Sequence, residues 1–245
     1  MSTFSNKDLE RPPAARGEGH GSPGRPGGLF FVLVALPAVL FLLITRQVVT
    51  DGPLLRADRR VSGELLHPDR ASELLSDLGN VQVAVPVLVV VLGYAAWRGR
   101  SEGAARWWLP PLAAALAMAL LPVFLVPLKV WTARHGTAVM PPGVGYYPSG
   151  HTATASVSYG ASALVLLQWL RTALARTAVA ALCAVLVLGV SYGLVRRGYH
   201  WPLDVVASWC LSAVLLSVLW LVTGGLSRSR SRSSAGTPSS RTGPS

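Results

Sequence analysis

Tyr147-Pro148-Ser149-Gly150-His151 stands at the mouth of an apolar segment that runs to about Leu170, and His200-Trp201-Pro202-Leu203-Asp204 stands at the mouth of another. How these two stretches are read decides what the chain is. Pro148 has a ring-fixed φ and no N–H, which fits the first turn of a helix. A helix starting there turns the backbone N–H groups of Ser149 and Gly150, the serine hydroxyl and the positive end of the helix dipole towards a bound anion. His151, one residue deeper, can carry or lend a proton near neutral pH. His200 and Asp204 are spaced i, i+4 and share a face if the chain is helical there. A carboxylate so placed holds one imidazole nitrogen and leaves the other free to attack. Taken singly, the first stretch is also what a helix start with a satisfied histidine looks like, and the second what a His/Asp cap looks like. As a pair they contain the parts of a phosphate-handling site.

The surrounding chain is a bilayer protein by composition. Of its 245 residues 51% are hydrophobic and 13% charged, with a mean hydropathy of +0.45. Cys183 and Cys210 lie inside apolar runs and read as small core residues, with neither a disulfide framework nor a metal pattern. The net charge of +11 does not point to nucleic acid, because the basic residues are spread over tails and short loops with no aromatic interleaving. Membrane topology and attraction to anionic lipid account for it.

Working outward, residues 1–28 are rich in Pro, Gly and charge and are expected to be a disordered tail. An apolar run from Leu29 to Thr45 follows. It is long for a secretory leader and has no clear cleavage site, so it reads as a first transmembrane helix. Asp51 to Asp77 mixes arginines and acids with leucines, which predicts one or two short amphipathic helices on the membrane surface, their charges solvated or touching lipid headgroups. Further spans are predicted at Leu78–Trp97, with Pro86 as a kink, at Trp107–Leu128, at Pro148 to about Leu170, at Thr177–Val195 and at Asp204 to about Thr223. Residues 224–245, rich in Ser and Arg, are expected to be a second disordered tail, solvated or touching anionic headgroups. The fold class is therefore all-α, a polytopic bundle of six spans over residues 29–223.

Six spans put both termini on one side. Lys7, Arg11, Arg16, Arg25, Arg98, Arg100, Arg106, Arg171, Arg176, Arg228, Arg230, Arg232 and Arg241 all fall on that side. The positive-inside rule makes it cytoplasmic. Both histidine stretches then reach the opposite, extracytoplasmic face. The same face receives the loop from Lys129 to Tyr147, where Lys129 and Arg134 either snorkel to the interface or form a cationic cradle opposite a helix N-terminus.

The three stretches together resemble the type 2 phosphatidic acid phosphatase (PAP2) family of integral-membrane lipid phosphatases, whose motifs are K-x6-R-P, P-S-G-H and S-R-x5-H-x3-D in this order. The resemblance covers roughly residues 107–222. Pro148 to His151 match the second motif in full, and His200 and Asp204 match the end of the third. Lys129 matches the first, but its arginine position is Gly136 and the following proline is Thr137. Arg134, also commonly basic in such proteins, is the expected replacement. The Ser-Arg pair of the third motif falls on Gly193 and Leu194. Arg197, nearly one helical turn on, is the expected substitute, with Arg196 second. His135 falls outside the matching positions and reads as a loop residue.

The resemblance implies a metal-independent, cofactor-free phosphoryl transfer. His200 would attack phosphorus, Asp204 would orient it, and His151 would protonate the leaving oxygen. Lys129, Arg134, Arg197, Ser149 and the Gly150 N–H would hold the phosphate oxygens. The implied substrate is an amphiphile such as phosphatidic acid, phosphatidylglycerol phosphate or a prenyl diphosphate, and the implied location is the plasma membrane. Two other classes share these motifs. One is a weak or inactive relative that binds or moves phospholipid, for which Gly136 and Leu194 speak. The other is a vanadate-dependent haloperoxidase, whose soluble character the charge-free spans contradict.

Overall fold

The computed structural model describes residues 26–234, with side chains from 31 to 223. The remainder of both tails expected to be disordered lies outside the described residues. Among these there are eight helices and no strand: α1 Pro26–Val49, α2 Leu54–Leu65, α3 Arg70–Asp77, α4 Val81–Ser101, α5 Leu109–Thr132, α6 Gly150–Leu166, α7 Ala173–Arg196 and α8 Pro202–Ser234. A lone antiparallel bridge between His135 and Val144 closes the α5–α6 loop. α1 starts ahead of the boundary predicted at Leu29. α8 runs past Thr223 to Ser234, continuing through Gly224 and Gly225 into the Ser/Arg stretch.

Five helices are long and apolar enough to cross a membrane: α1, α4, α5, α7 and α8. α6, predicted as a fourth span from Pro148 to about Leu170, is shorter, at 17 residues. It is the axis of the bundle, packed on by α4, α5, α7 and α8. Facing protein in place of lipid, it has no need of a continuous apolar surface. Its sequence, Gly-His-Thr-Ala-Thr-Ala-Ser-Val-Ser-Tyr-Gly-Ala-Ser-Ala, is nearly all small residues, and from Thr152 to Ala163 every side chain is buried. Small residues let neighbouring backbones approach closely. At Gly160 an added Cβ would come within 2.5 Å of Leu216 Cδ1 on α8. Leu121 and Leu125 of α5 pack around Val157 on one side of this axis, and Ala84 of α4 and Leu194 of α7 around Tyr159 on another.

The start of α6 differs from the sequence reading. Its N-cap is Ser149, whose hydroxyl accepts from the Thr152 N–H, and Pro148 lies outside the helix after a cis Tyr147–Pro148 bond. Serine is the better cap, since its oxygen satisfies an orphan donor that proline cannot reach. In the second stretch a proline does open the helix: Pro202 is the first residue of α8.

The two short helices predicted between Asp51 and Asp77 are present as α2 and α3. α3 begins with a reciprocal capping box between Asp69 and Ser72 and packs on α7. Hydrogen bonds from Ser72 and Arg196 hold the Asp69 carboxyl down at about 2. A depressed folded-state pKa gives stability that is present above the ordinary aspartate value and lost as pH falls towards 2. Asp69→Ala is therefore expected to speed amide exchange of α3 at neutral pH, and acidification from about 4 to 2 should reproduce the effect in the parent. Unchanged α3 exchange in the variant would refute the capping role.

Gly193 marks the closest approach of α7 to α3. An added Cβ there would lie 2.6 Å from the Ser72 carbonyl oxygen and 2.7 Å from the Ser76 nitrogen. Gly193→Ser, which introduces the serine of the motif that the sequence resembles, is expected to force the two helices apart and destabilise the fold by about 1–3 kcal/mol. Thermal unfolding in detergent measures it, and an unshifted midpoint would show that the helices can yield.

Candidate active site

The N-termini of α6 and α8, the ends of α5 and α7, and helices α2 and α3 meet at one end of the bundle. The Ser149 N–H donates to the Asp204 carbonyl at 3.2 Å, and the Ser208 hydroxyl to the carbonyls of Ser149 and Asp204 at 2.8 Å each. The two histidine stretches are thus tied to each other through backbone.

Asp204 is fully buried in the first turn of α8. Its Oδ2 lies 3.2 Å from His200 Nδ1 and accepts from the Trp201 N–H at 3.2 Å; its Oδ1 lies 2.5 Å from a terminal nitrogen of Arg134. An ionised carboxylate only accepts, so Nδ1 of His200 carries the proton and Nε2 keeps its lone pair. The ring, itself buried, stands with its centroid 6.5 Å from that of His151 and 6.4 Å from that of Tyr146. In front of Gly150 no atom lies within 4 Å of where a side chain would begin, so there is open space at the α6 N-terminus. Ser149 is buried behind it, its oxygen engaged as the cap. Lys129 donates to the Gly145 carbonyl at 2.9 Å and is in electrostatic reach of both Asp204 and His151.

Arg134 is held between two carboxylates. One terminal nitrogen meets Asp204, and the other lies 2.5 Å from Asp58 Oδ2; the guanidinium also lies 5.7 Å from the centre of the Trp201 ring. Asp58 belongs to α2, where the sequence reading placed the charges at the surface, in solvent or against lipid headgroups. That reading fails here: Asp58 is only 4% exposed, and its other oxygen accepts from the Leu203 N–H at 2.8 Å. Burial pushes its pKa above the usual aspartate value, against the pull of Arg134 and the Leu203 N–H. The signal was legible in part, because Leu55, Asp58 and Ser62 share the inward face of α2.

Arg197 does not join this group. Its guanidinium bonds the Tyr199 hydroxyl and lies 3.6 Å from Glu73. Arg196 pairs with Asp69. The positions at which the resembled motifs have other residues are packing positions here. Leu194 is buried in the cluster with Ala84 and Tyr159, Gly136 lies against the Tyr146 ring, and the Thr137 hydroxyl bonds the Gly198 carbonyl. His135 is exposed, and its carbonyl accepts from the Trp201 indole at 3.1 Å. Besides Asp58, sequence reasoning missed Asn80, whose Oδ1 lies 2.8 Å from His151 Nε2. Among the described residues no cluster of His, Cys, Asp and Glu is suited to a metal ion.

Residues 111–228, which contain all of the third motif and most of the site, match the model of the PAP2 superfamily. The fold is similar to the crystal structure of a transmembrane PAP2-type phosphatidylglycerolphosphate phosphatase from Bacillus subtilis, with a TM-score of 0.65 over 80% of this chain and 97% of that one at 21% identity. No curated protein matches the chain significantly.

Proposed function

We propose that this chain is a metal-independent phosphatase that removes phosphate from a membrane lipid phosphate or diphosphate through a phosphohistidine. The observation that carries this reading is the buried His200–Asp204 pair, proton on Nδ1 and Nε2 free, facing His151 across an open helix N-terminus. Nε2 of His200 attacks phosphorus, the P–O bond to the lipid breaks, and His151 gives its proton to the leaving oxygen. Water then cleaves the P–N bond, its proton returning to His151. The Gly150 N–H and Lys129 hold the phosphate oxygens, whose charge dominates phosphoryl transfer, and Ser149, buried behind them as the cap, sets the direction of the α6 N-terminus.

The buried charges favour this sequence. With both acids ionised, Asp58, Asp204 and Arg134 together carry one net negative charge, which favours the cationic ring that His200 becomes on phosphorylation. Arg134 is in this reading first an organiser of Asp204. Arg197 reaches the phosphate only by leaving Glu73.

An amphiphilic substrate suits a site at one end of a membrane bundle. An apolar groove between α1 and α5, lined by Phe41, Thr45, Val49, Leu128 and Trp131, runs beside the loop that carries Tyr147. Phosphatidic acid, phosphatidylglycerol phosphate, the substrate in the structural relative's name, and prenyl diphosphates are the candidates. The basic loops support cytoplasmic termini in the plasma membrane and an extracytoplasmic site.

The test is phosphate release by the detergent-purified protein from these three lipids with chelator present and vanadate as inhibitor. Release insensitive to chelator supports the reading, and none from a folded protein overturns it. Because one histidine must be neutral and the other protonated, the pH profile is expected to be bell-shaped. His151→Ala is expected to flatten the descending limb and lower the rate about 10²–10⁴-fold. A second reading, a relative that binds or moves phospholipid, is favoured by the conversion of two motif-arginine positions to packing positions. It predicts transport without phosphate release.

A further inference from the structure

Asn80 forms the corner between α3 and α4, capping α4 by position but without a side-chain bond to its backbone. Its side chain is used elsewhere. The amide nitrogen Nδ2 lies 3.1 Å from Asp77 Oδ1, and Oδ1 lies 2.8 Å from His151 Nε2. The corner is pressed onto α6. The Tyr159 hydroxyl donates to the Leu78 carbonyl at 2.6 Å, and at Gly79 any Cβ would sit 3.1 Å from the His151 carbonyl oxygen and 3.3 Å from its Cβ. Only a glycine lets the turn come so near, and the contact fixes Asn80 beside the ring.

The directions of these bonds follow from chemistry. The Asp77 carboxylate can only accept, so Asn80 must present its NH₂ to it and its carbonyl oxygen to the histidine. That oxygen also only accepts, so Nε2 of His151 must carry a proton. We infer that Asn80, aimed by Asp77, is a positioning residue that fixes His151 in the Nε2–H form and leaves Nδ1 as the atom that gains and loses the catalytic proton. In the turnover proposed above, on which this consequence rests, the imidazolium gives its Nδ1 proton to the leaving oxygen and returns to the neutral ring that Asn80 holds. In the second step the same nitrogen takes a proton from the attacking water. A bond from the charged ring to Oδ1 is stronger than one from the neutral ring, so Asn80 also favours the protonated acid. The other charged or titratable groups facing the ring are His200 from the turn before α8, Lys129 from α5 and Asp77 from α3.

The test reads the ring directly, by NMR of the full chain in detergent with ¹⁵N-labelled histidine rings, His151→Gln identifying the signal. In the parent the neutral His151 ring is expected as the Nε2–H tautomer. Asn80→Ala is expected to give a tautomer mixture and to lower the ring's titration midpoint by about one unit, and Asn80→Asp to raise it by about as much. Asp77→Asn, a change at an exposed residue, frees the Asn80 amide to turn over and is expected to weaken the tautomer preference with the fold intact. A tautomer and midpoint unmoved by Asn80→Ala and Asp77→Asn would overturn the inference. Phosphate release adds an independent arm, because the descending limb of the pH profile should move with each midpoint. A parent that releases no phosphate sinks the phosphatase reading while the tautomer result still decides the role of Asn80. An active parent whose limb ignores Asn80 sinks only the inference.

Discussion

His200→Ala is expected to lower phosphate release from every lipid substrate by at least about 10⁴-fold, because it deletes the atom that forms the covalent intermediate. The fold should survive, since Asp204 keeps its bonds to Arg134 and the Trp201 N–H. Asp204→Asn tests the same pair from the other side. An amide can turn its NH₂ towards His200 and stabilise the tautomer with the lone pair on Nδ1, so Nε2 would be protonated and unable to attack. A loss of about 10³–10⁴-fold is expected, in line with the loss of the orienting acid in catalytic triads. Trapping separates the roles. Rapid denaturation during turnover of labelled substrate should capture an acid-labile, base-stable phosphoprotein in the parent, less in Asp204→Asn and none in His200→Ala. Residual activity above about a tenth in His200→Ala would remove it from the nucleophile's place.

The parts of the fold that were readable in the sequence are those set by bulk hydrophobicity. Runs such as Leu78–Trp97 and Trp107–Leu128 can lie nowhere but in a bilayer, and α4 and α5 occupy them with boundaries moved by a few residues. α6 was harder to read, because its limits are set by a serine cap and by burial on all sides, and its serines and threonines blur its hydropathy. The proximity of His151, Ser149, His200 and Asp204 was readable because each lies in, or within two residues of, the first turn of a helix that starts at the same end of the bundle.

What lay hidden was which way charged side chains turn. Asp58 and Arg59 are neighbours in an amphipathic helix, and only packing makes one buried and leaves the other on the surface beside Asp51. Arg197 has the spacing of a missing guanidinium, yet Tyr199 and Glu73 hold it. Gly193 reads as a lost serine until α3 is seen lying against it. Asn80 carries no charge and belongs to no motif, so nothing in its letter announced the contact with His151.

Arg134 is where the sequence reading and the geometry lead to different experiments. A phosphate ligand, when truncated, raises KM and leaves the empty protein as stable as before. The structure instead shows a buried guanidinium between Asp58 and Asp204, and removing it strands two buried carboxylates with no cation between them. Arg134→Ala is therefore expected to destabilise the substrate-free protein by about 3–5 kcal/mol, the usual result of breaking a buried pair on one side, and to reduce kcat because Asp204 loses its anchor. Arg134→Lys keeps the charge but cannot bridge both acids with a planar fork, and should fall between parent and alanine. Asp58→Asn leaves the cation to Asp204 alone and makes the resting network neutral, so a lower kcat with nearly unchanged KM is expected. The double variant Asp58→Asn/Arg134→Ala removes one of the two stranded charges and should be more stable than Arg134→Ala alone, a coupling that independent sites would not show. Thermal midpoints for the four proteins and kinetics for the active ones decide the matter. A full thermal midpoint in Arg134→Ala, together with a raised KM, would return Arg134 to the phosphate.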